Sequence, residues 1–236
     1  MAGEDASVAT PSPRHDRALP PVLLALTLTT GLIDAASYLG LGHVFTANMT
    51  GNVVLLGFGL ANAGGLPVVA PLISLGAFLL GAAIGGRLGI GIAERHERVL
   101  LIGVASEIGL LALAAIFAYV VHIKINSASA YTVIAVVALA MGVRNAIVRK
   151  LAIPDMTTTV LTMTLTGLAA DAAATPARLG SSPRRLSIVV AMLVGAVIGA
   201  LLEKQSVGLP LAVAAGAGAV SFGAYECSRR TGRAEL

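Results

Sequence analysis

Runs of about 20 apolar residues recur along this chain, and each is long enough as a helix to cross roughly 30 Å of hydrocarbon. No other feature constrains the fold so strongly: the chain reads as an all-α, polytopic membrane protein. Composition agrees. Of 236 residues 56% are hydrophobic and only 12% charged, with a mean hydropathy of +0.88, whereas a soluble domain carries about twice that charged share. The formal charge of +4 resides mostly in short loops and tails, where it sets membrane orientation rather than marking a nucleic-acid surface. A single cysteine, Cys227, excludes an internal disulfide and gives no metal-ligand spacing. The start, MAGEDASVATPSPRHDRALPP, is polar and Pro-rich and lacks the order of a removable signal peptide. Residues 1–18 are expected as a disordered cytoplasmic tail, 19–227 as one transmembrane domain and 228–236 as a basic cytoplasmic tail.

Eight apolar segments are drawn at about 20–40, 45–62, 68–92, 99–122, 130–148, 157–172, 186–203 and 208–227, judged by span length. The second and sixth are short, roughly 22 Å as helix, and carry polar side chains that lipid penalises. Charge decides whether they cross. With eight crossings, Arg95, Arg98, Arg149, Lys150 and Lys204 fall outside, against nine basic residues inside. If the two short segments dip in and return, twelve basic residues collect inside and only Lys124 and Lys204 lie outside. The second arrangement fits the positive-inside bias. The expected fold is about six transmembrane helices plus two short re-entrant or broken half-helices.

The chain also resembles itself. GLIDAASYLGLGHVFTANMTGNVVLLG matches GVRNAIVRKLAIPDMTTTVLTMTLTGL at a shift near 111, placing Gly31 on Gly142 and Asp34 on Asn145. Farther on, LLGAAIGG (79–86) matches LVGAVIGA (193–200) at a slightly larger shift. The repeat halves are about 19–122 and 130–227. Each would hold three crossings, an odd number, so the second copy is inverted. Inverted repeats with broken helices meeting near the midplane recur in secondary transporters.

The two polar runs, TANMTGNVV and DMTTTVLTMT, then open the half-helices. A helix that starts inside the membrane exposes N–H groups that need a cap, a ligand or water. Thr46 or Asn48 is expected to cap the first, and Asp155 or Thr157 the second. Thr158, Thr162 and Thr166 recur every four residues and make one hydroxyl stripe. Thr46 with Thr50, and Asn48 with Asn52, make two i,i+4 pairs. These seven residues are the expected substrate pathway. The alternative is that they only join helices by hydrogen bonds, each worth roughly a kcal/mol. Three ionisable residues fall inside spans: Asp34, Arg144 and Glu107. They are site candidates or mutual neutralisers, and the repeat register suggests an Asp34–Arg144 pair. Gly81, Gly85 and Gly89, with Gly195 and Gly199, let helix backbones approach.

DAASYLGLGHVFTANMTGNVVLLG together with AMGVRNAIVRKLAIPDMTTTVLTMTLTGLAAD resembles the YoaK family of small bacterial integral membrane proteins over essentially the whole chain after the tail. The matching positions are Asp34, Thr46, Asn48, Met49, Thr50, Gly51 and Asn52, then Asn145, Asp155, Thr157, Thr158, Thr159, Thr162, Thr164 and Thr166. The resemblance implies a compact inner-membrane protein with about six spans and no established biochemical function.

These residues point first to a small-solute transporter or channel of the bacterial cytoplasmic membrane, with both termini cytoplasmic and a polar site between two half-helices. The alternative is a non-transporting assembly or sensor protein whose polar runs serve packing. No nucleophile–base pair, phosphate loop or dinucleotide fingerprint occurs, so no enzyme, cofactor or metal is expected. The expected partners are the lipid bilayer and a small solute. An anionic solute is favoured, because two positive helix ends face the site. The Gly stripes leave a homo-oligomer open.

Overall fold

The computed structural model describes residues 15–88, 96–150, 161–174 and 182–234. Among them the secondary structure is helical: α1 (His15–Gly40), α2 (Met49–Leu60), α3 (Val69–Leu88), α4 (His96–Val120), α5 (Ala128–Lys150), α6 (Leu161–Ala174), α7 (Ser182–Glu203) and α8 (Gly208–Ala234). Each apolar segment drawn from the sequence coincides with one of these helices. α1 starts at His15, within the segment assigned to the N-terminal tail, and α8 runs to Ala234 through the segment assigned to the C-terminal one.

Among the described residues, four stretches are long and apolar enough to cross a membrane: Val69–Leu88, Leu101–Val120, Ala128–Lys150 and Arg185–Glu203. α1 and α8 have 26 and 27 residues, with apolar stretches at Leu24–Gly40 and Gly208–Ala224. α2 and α6 have 12 and 14 residues, or roughly 18 and 21 Å. Neither reaches across the hydrocarbon.

A helix apolar on every side is either central or lipid-facing, and both cases occur. α5 is central: Val133, Ile134, Val137, Ala138, Ala140 and Met141 are all buried. α7 is peripheral, showing Leu193, Val197 and Leu201 outward. Such an apolar exterior would be an aggregation surface in water; against acyl chains it is the expected face.

Glycines set the closest crossings. A Cβ added to Gly81 would overlap the Leu139 carbonyl, and one on Gly142 would overlap that of Phe78, so α3 and α5 touch backbone to backbone. Gly195 meets Leu28 in the same way, and Gly31 meets Met192, joining α1 to α7. Gly85 against Val143 and Gly199 against Leu32 extend the two seams by one turn each. Both pairs run parallel, since contacts advance in the same direction along each helix. The contacts also match across the halves. Gly31, Leu28 and Leu32 stand 111 residues before Gly142, Leu139 and Val143, while Gly81, Gly85 and Phe78 stand 114 before Gly195, Gly199 and Met192. Gly89, the third member of the first stripe, lies outside the described residues. Farther out, α2 rests on α3 and α6 on α7, while α4 joins α5 to α8 and α8 joins α4 to α1.

The chain leaves α1 by a tight reversal that decides where α2 begins. Gly42 and His43 have φ of +102° and +56°, the left-handed conformation that closes a helix, and the His43 N–H donates to the Tyr38 carbonyl at 3.0 Å. Tyr38 then stacks on Phe45 at 4.9 Å between ring centroids. The returning segment is thereby laid against α1, with Thr46 fully buried.

Candidate functional site

Residues 45–47 cross the interior in non-helical form, so their backbone groups need partners. Side chains of three helices supply them. Asp34 Oδ1 on α1 accepts from the Thr46 and Ala47 N–H groups at 3.1 and 2.8 Å. Asn52 on α2 accepts from the Phe45 N–H at 2.9 Å and returns a bond to the Phe45 carbonyl at 2.6 Å. Ser74 on α3 donates to the same carbonyl at 2.7 Å and accepts from Asn52 Nδ2 at 3.0 Å. The Thr46 hydroxyl reaches Ser37 Oγ at 3.3 Å. The helix starts on the next residue but one because Asn48 caps it, accepting from the Gly51 N–H at 3.2 Å. Of the two caps open from sequence, Asn48 is the one used. Asp155 and Thr157, the candidates for the second half-helix, lie outside the described residues.

This clamp yields a stability prediction. Asn52→Ala strands the Phe45 N–H inside the bundle and is expected to cost about 1–3 kcal/mol, the desolvation penalty of a buried orphan. Asn48→Ala loses one cap, about 1 kcal/mol. Thermal unfolding of the two variants in detergent should rank them in that order; equal losses would count against the clamp.

A second polar cluster staples α1, α4 and α5. Arg144, only 1% exposed, donates from Nη1 to Glu107 Oε1 at 2.8 Å and to the Leu26 carbonyl at 3.3 Å. Its Nη2 donates to Thr30 Oγ1 at 2.6 Å. Thr29 and Thr30 give their own protons to the Leu26 carbonyl, at 2.9 and 2.7 Å, which leaves their lone pairs for the guanidinium. The expected Asp34–Arg144 pair is therefore corrected: Arg144 pairs with Glu107. Arg144 lies level with Leu26–Thr30, a turn short of Asp34, and Asp34 is held by the Thr46 and Ala47 N–H groups instead. All three intramembrane charges are buried, in two clusters rather than one.

Beside these clusters a cavity of about 1350 Å³ opens, walled by α1, α2, α3, α5, α6 and α7. Asn48 and Thr50 line it from α2 and Thr162 from α6, with Asp34 and Thr30 on α1 and Asn145 and Arg149 on α5. Thr46 and Asn52, expected in the pathway, are not among its walls; both are fully buried, their polar atoms committed to the clamp. Thr166 is exposed, its hydroxyl returned to the Thr162 carbonyl at 2.9 Å. Thr158 lies outside the described residues. Thr29, Thr30, Ser37, Ser74 and Asn145 were not singled out as site residues from sequence. The signals for Asn145 are its register opposite Asp34 and its place in the family motif; the lone hydroxyls of apolar spans carry none.

Long apolar helices, two helices too short to span, and buried charges closed on one another or on backbone N–H groups define a multi-helix membrane protein with a polar interior. Within that class, the chain belongs to the family described as protein of unknown function DUF1275, whose pattern matches residues 22–224. It is 35% identical over 157 residues to the UPF0700 transmembrane protein YoaK of Bacillus subtilis (strain 168), a match covering 64% of this chain and 65% of that one. The matched part is thus just under two thirds of the relative's length. No solved structure matches the chain.

Proposed function

We propose that this protein is a small-solute transporter or channel of the bacterial cytoplasmic membrane, built as an inverted repeat. The observation that carries the reading is that one cavity draws polar side chains from both short helices, Asn48 and Thr50 of α2 and Thr162 of α6. The matched glycine contacts of the halves support the repeat. In this reading α1, α3, α4, α5, α7 and α8 cross, both termini are cytoplasmic, and three crossings per half invert the second copy. α1 with α7, and α3 with α5, then behave as two welded pairs, each taking one helix from each half. Rocking one pair against the other would open the cavity to alternate sides, as in other inverted-repeat carriers.

The reading as an assembly or sensor protein draws support from Thr46 and Asn52, whose polar atoms serve packing. Water decides between the two. Single cysteines at positions 48, 50 and 162, in a Cys227→Ser background, are expected to react with a membrane-impermeant thiol reagent, while cysteines at 46 and 52 stay protected. Protection at 48, 50 and 162, with reactive controls at the exposed positions 63 and 128, would remove the pathway and leave the assembly reading.

A further inference from the structure

Among the described residues, Asp34 is the one carboxylate that lines the cavity. It also holds part of the wall in place. Its Oδ1 accepts from the Thr46 and Ala47 N–H groups, and the chain that leaves Ala47 lays Asn48, Met49, Thr50 and Gly51 along the same wall. Oδ2 makes no hydrogen bond among the described residues. One carboxyl group thus has two duties: it anchors the entry to α2, and it meets the space from which a proton can arrive. Glu107, the other buried acid, is closed on Arg144 and is not part of the wall. The charged neighbours of Asp34 come from few elements. Arg149 and Lys150 of α5 share the cavity, and Lys150 donates to the Gly86 carbonyl. Arg144 of α5 lies a turn away, paired with Glu107 of α4. Tyr38 lines the wall from α1, with the His43 ring against it, and Glu203 of α7 meets α1 at Gly40. α2, α3 and α6 bring no ionisable side chain to the wall, and α8 has none between Gly208 and Ala224.

A charged oxygen accepts N–H bonds about twice as strongly as a neutral one. A proton that adds to Oδ2 leaves Oδ1 as the carbonyl oxygen of a neutral acid. Both N–H bonds keep their geometry and lose their charge assistance, so segment 45–47 is held less firmly to α1. Asn52 and Ser74, which do not titrate, still tether Phe45, so the segment loosens without coming free. Intramembrane acids that meet a cavity serve proton relays in pumps and transporters. We propose that Asp34 is the proton-binding site of the pathway, and that its charge state couples a proton to the position of the start of α2. The proposal rests on the solute-pathway reading above and assigns it a coupling ion.

The test follows a nitroxide on Thr50→Cys, in the purified full-length protein with Cys227→Ser, by electron paramagnetic resonance. The pH runs from about 8 to about 4, a range that brackets carboxyl titration in proteins. Thr50 is exposed and lines the cavity; Ala63→Cys, exposed in the loop after α2, is the control. As the pH falls, the ratio of mobile to immobile signal at position 50 is expected to rise about fivefold or more, as fits one hydrogen bond losing its charge. Position 63 should show no such rise. Asp34→Asn supplies a neutral oxygen at every pH, since its amide carbonyl can accept both N–H bonds. It should be mobile already at high pH and no longer respond. A flat profile at position 50 in the parent overturns the proposal whatever the variant does. An unchanged response in Asp34→Asn also overturns it and passes the titration to another group, His43 or Glu203 first. An Asp34→Asn protein that does not fold would make the charge a structural requirement, incompatible with protonation in a working cycle, and would overturn it too. If the thiol at 50 resists a membrane-impermeant nitroxide reagent, the pathway and the coupling both fall. If it labels and ignores pH, the coupling alone falls.

Discussion

Arg144→Met is expected to cost about 3–5 kcal/mol, enough to remove most folded protein from a marginally stable bundle. The cost comes from what is left behind. Glu107 is 3% exposed, and among the described residues its side chain is bonded by Arg144; without the guanidinium, a carboxylate sits unpaired where water cannot reach it. Glu107→Leu should cost less, because Arg144 keeps the Leu26 carbonyl and the Thr30 hydroxyl. The double variant Arg144→Met, Glu107→Leu should recover much of the loss, since apolar replacement of a whole buried pair is often neutral or better. Chemical unfolding in detergent measures all three. A double variant as unstable as Arg144→Met would show that the cost lies in lost packing and not in a stranded charge.

Gly31→Ala and Gly142→Ala are expected to destabilise by about 1–3 kcal/mol each, and by similar amounts. In both cases the added methyl meets a backbone carbonyl, that of Met192 or of Phe78. A carbonyl in a helix cannot rotate aside as a side chain can, so the two helices must separate along their seam. Gly76→Ala and Gly109→Ala are the controls, with nothing within 4 Å of the new methyl. They should be neutral or gain up to about 1 kcal/mol from helix propensity. The two seams share no residue, so the Gly31→Ala, Gly142→Ala double should be close to additive. A large loss for one glycine and none for the other would break the equivalence of the halves.

The particular failures and successes of the sequence reading have a common cause. Thr46, Asn48, Thr50 and Asn52 look alike as a polar run in an apolar chain. Spacing puts 46 with 50 and 48 with 52, yet the structure sorts them otherwise: 46 and 52 into the clamp, 48 and 50 onto the cavity. The sorting depends on Asp34, Ser37 and Ser74, which belong to other helices and come near only once α1 and α3 have met. Arg144 shows the same limit. Its partner could be narrowed to the buried acids, but choosing Glu107 over Asp34 required knowing that Asp34 faces the Thr46 and Ala47 N–H groups. The glycines were the easier case, because a small residue at four-residue spacing signals close approach whichever helix lies opposite.

What this sequence determined by itself is what lipid and the backbone dictate locally. Apolar runs must be helices because hydrocarbon offers no hydrogen bonds, a run of about 15 residues, roughly 22 Å as helix, cannot span, and a polar run before a short helix must cap it. What the tertiary structure alone decided is which buried polar group answers which. Hydrogen bonds and ion pairs are satisfied across helices far apart in the chain, as Arg144 is from Leu26, 118 residues away. Many assignments satisfy composition, and the backbone contacts at Gly31, Gly81, Gly142 and Gly195 fix the helix positions that select one of them.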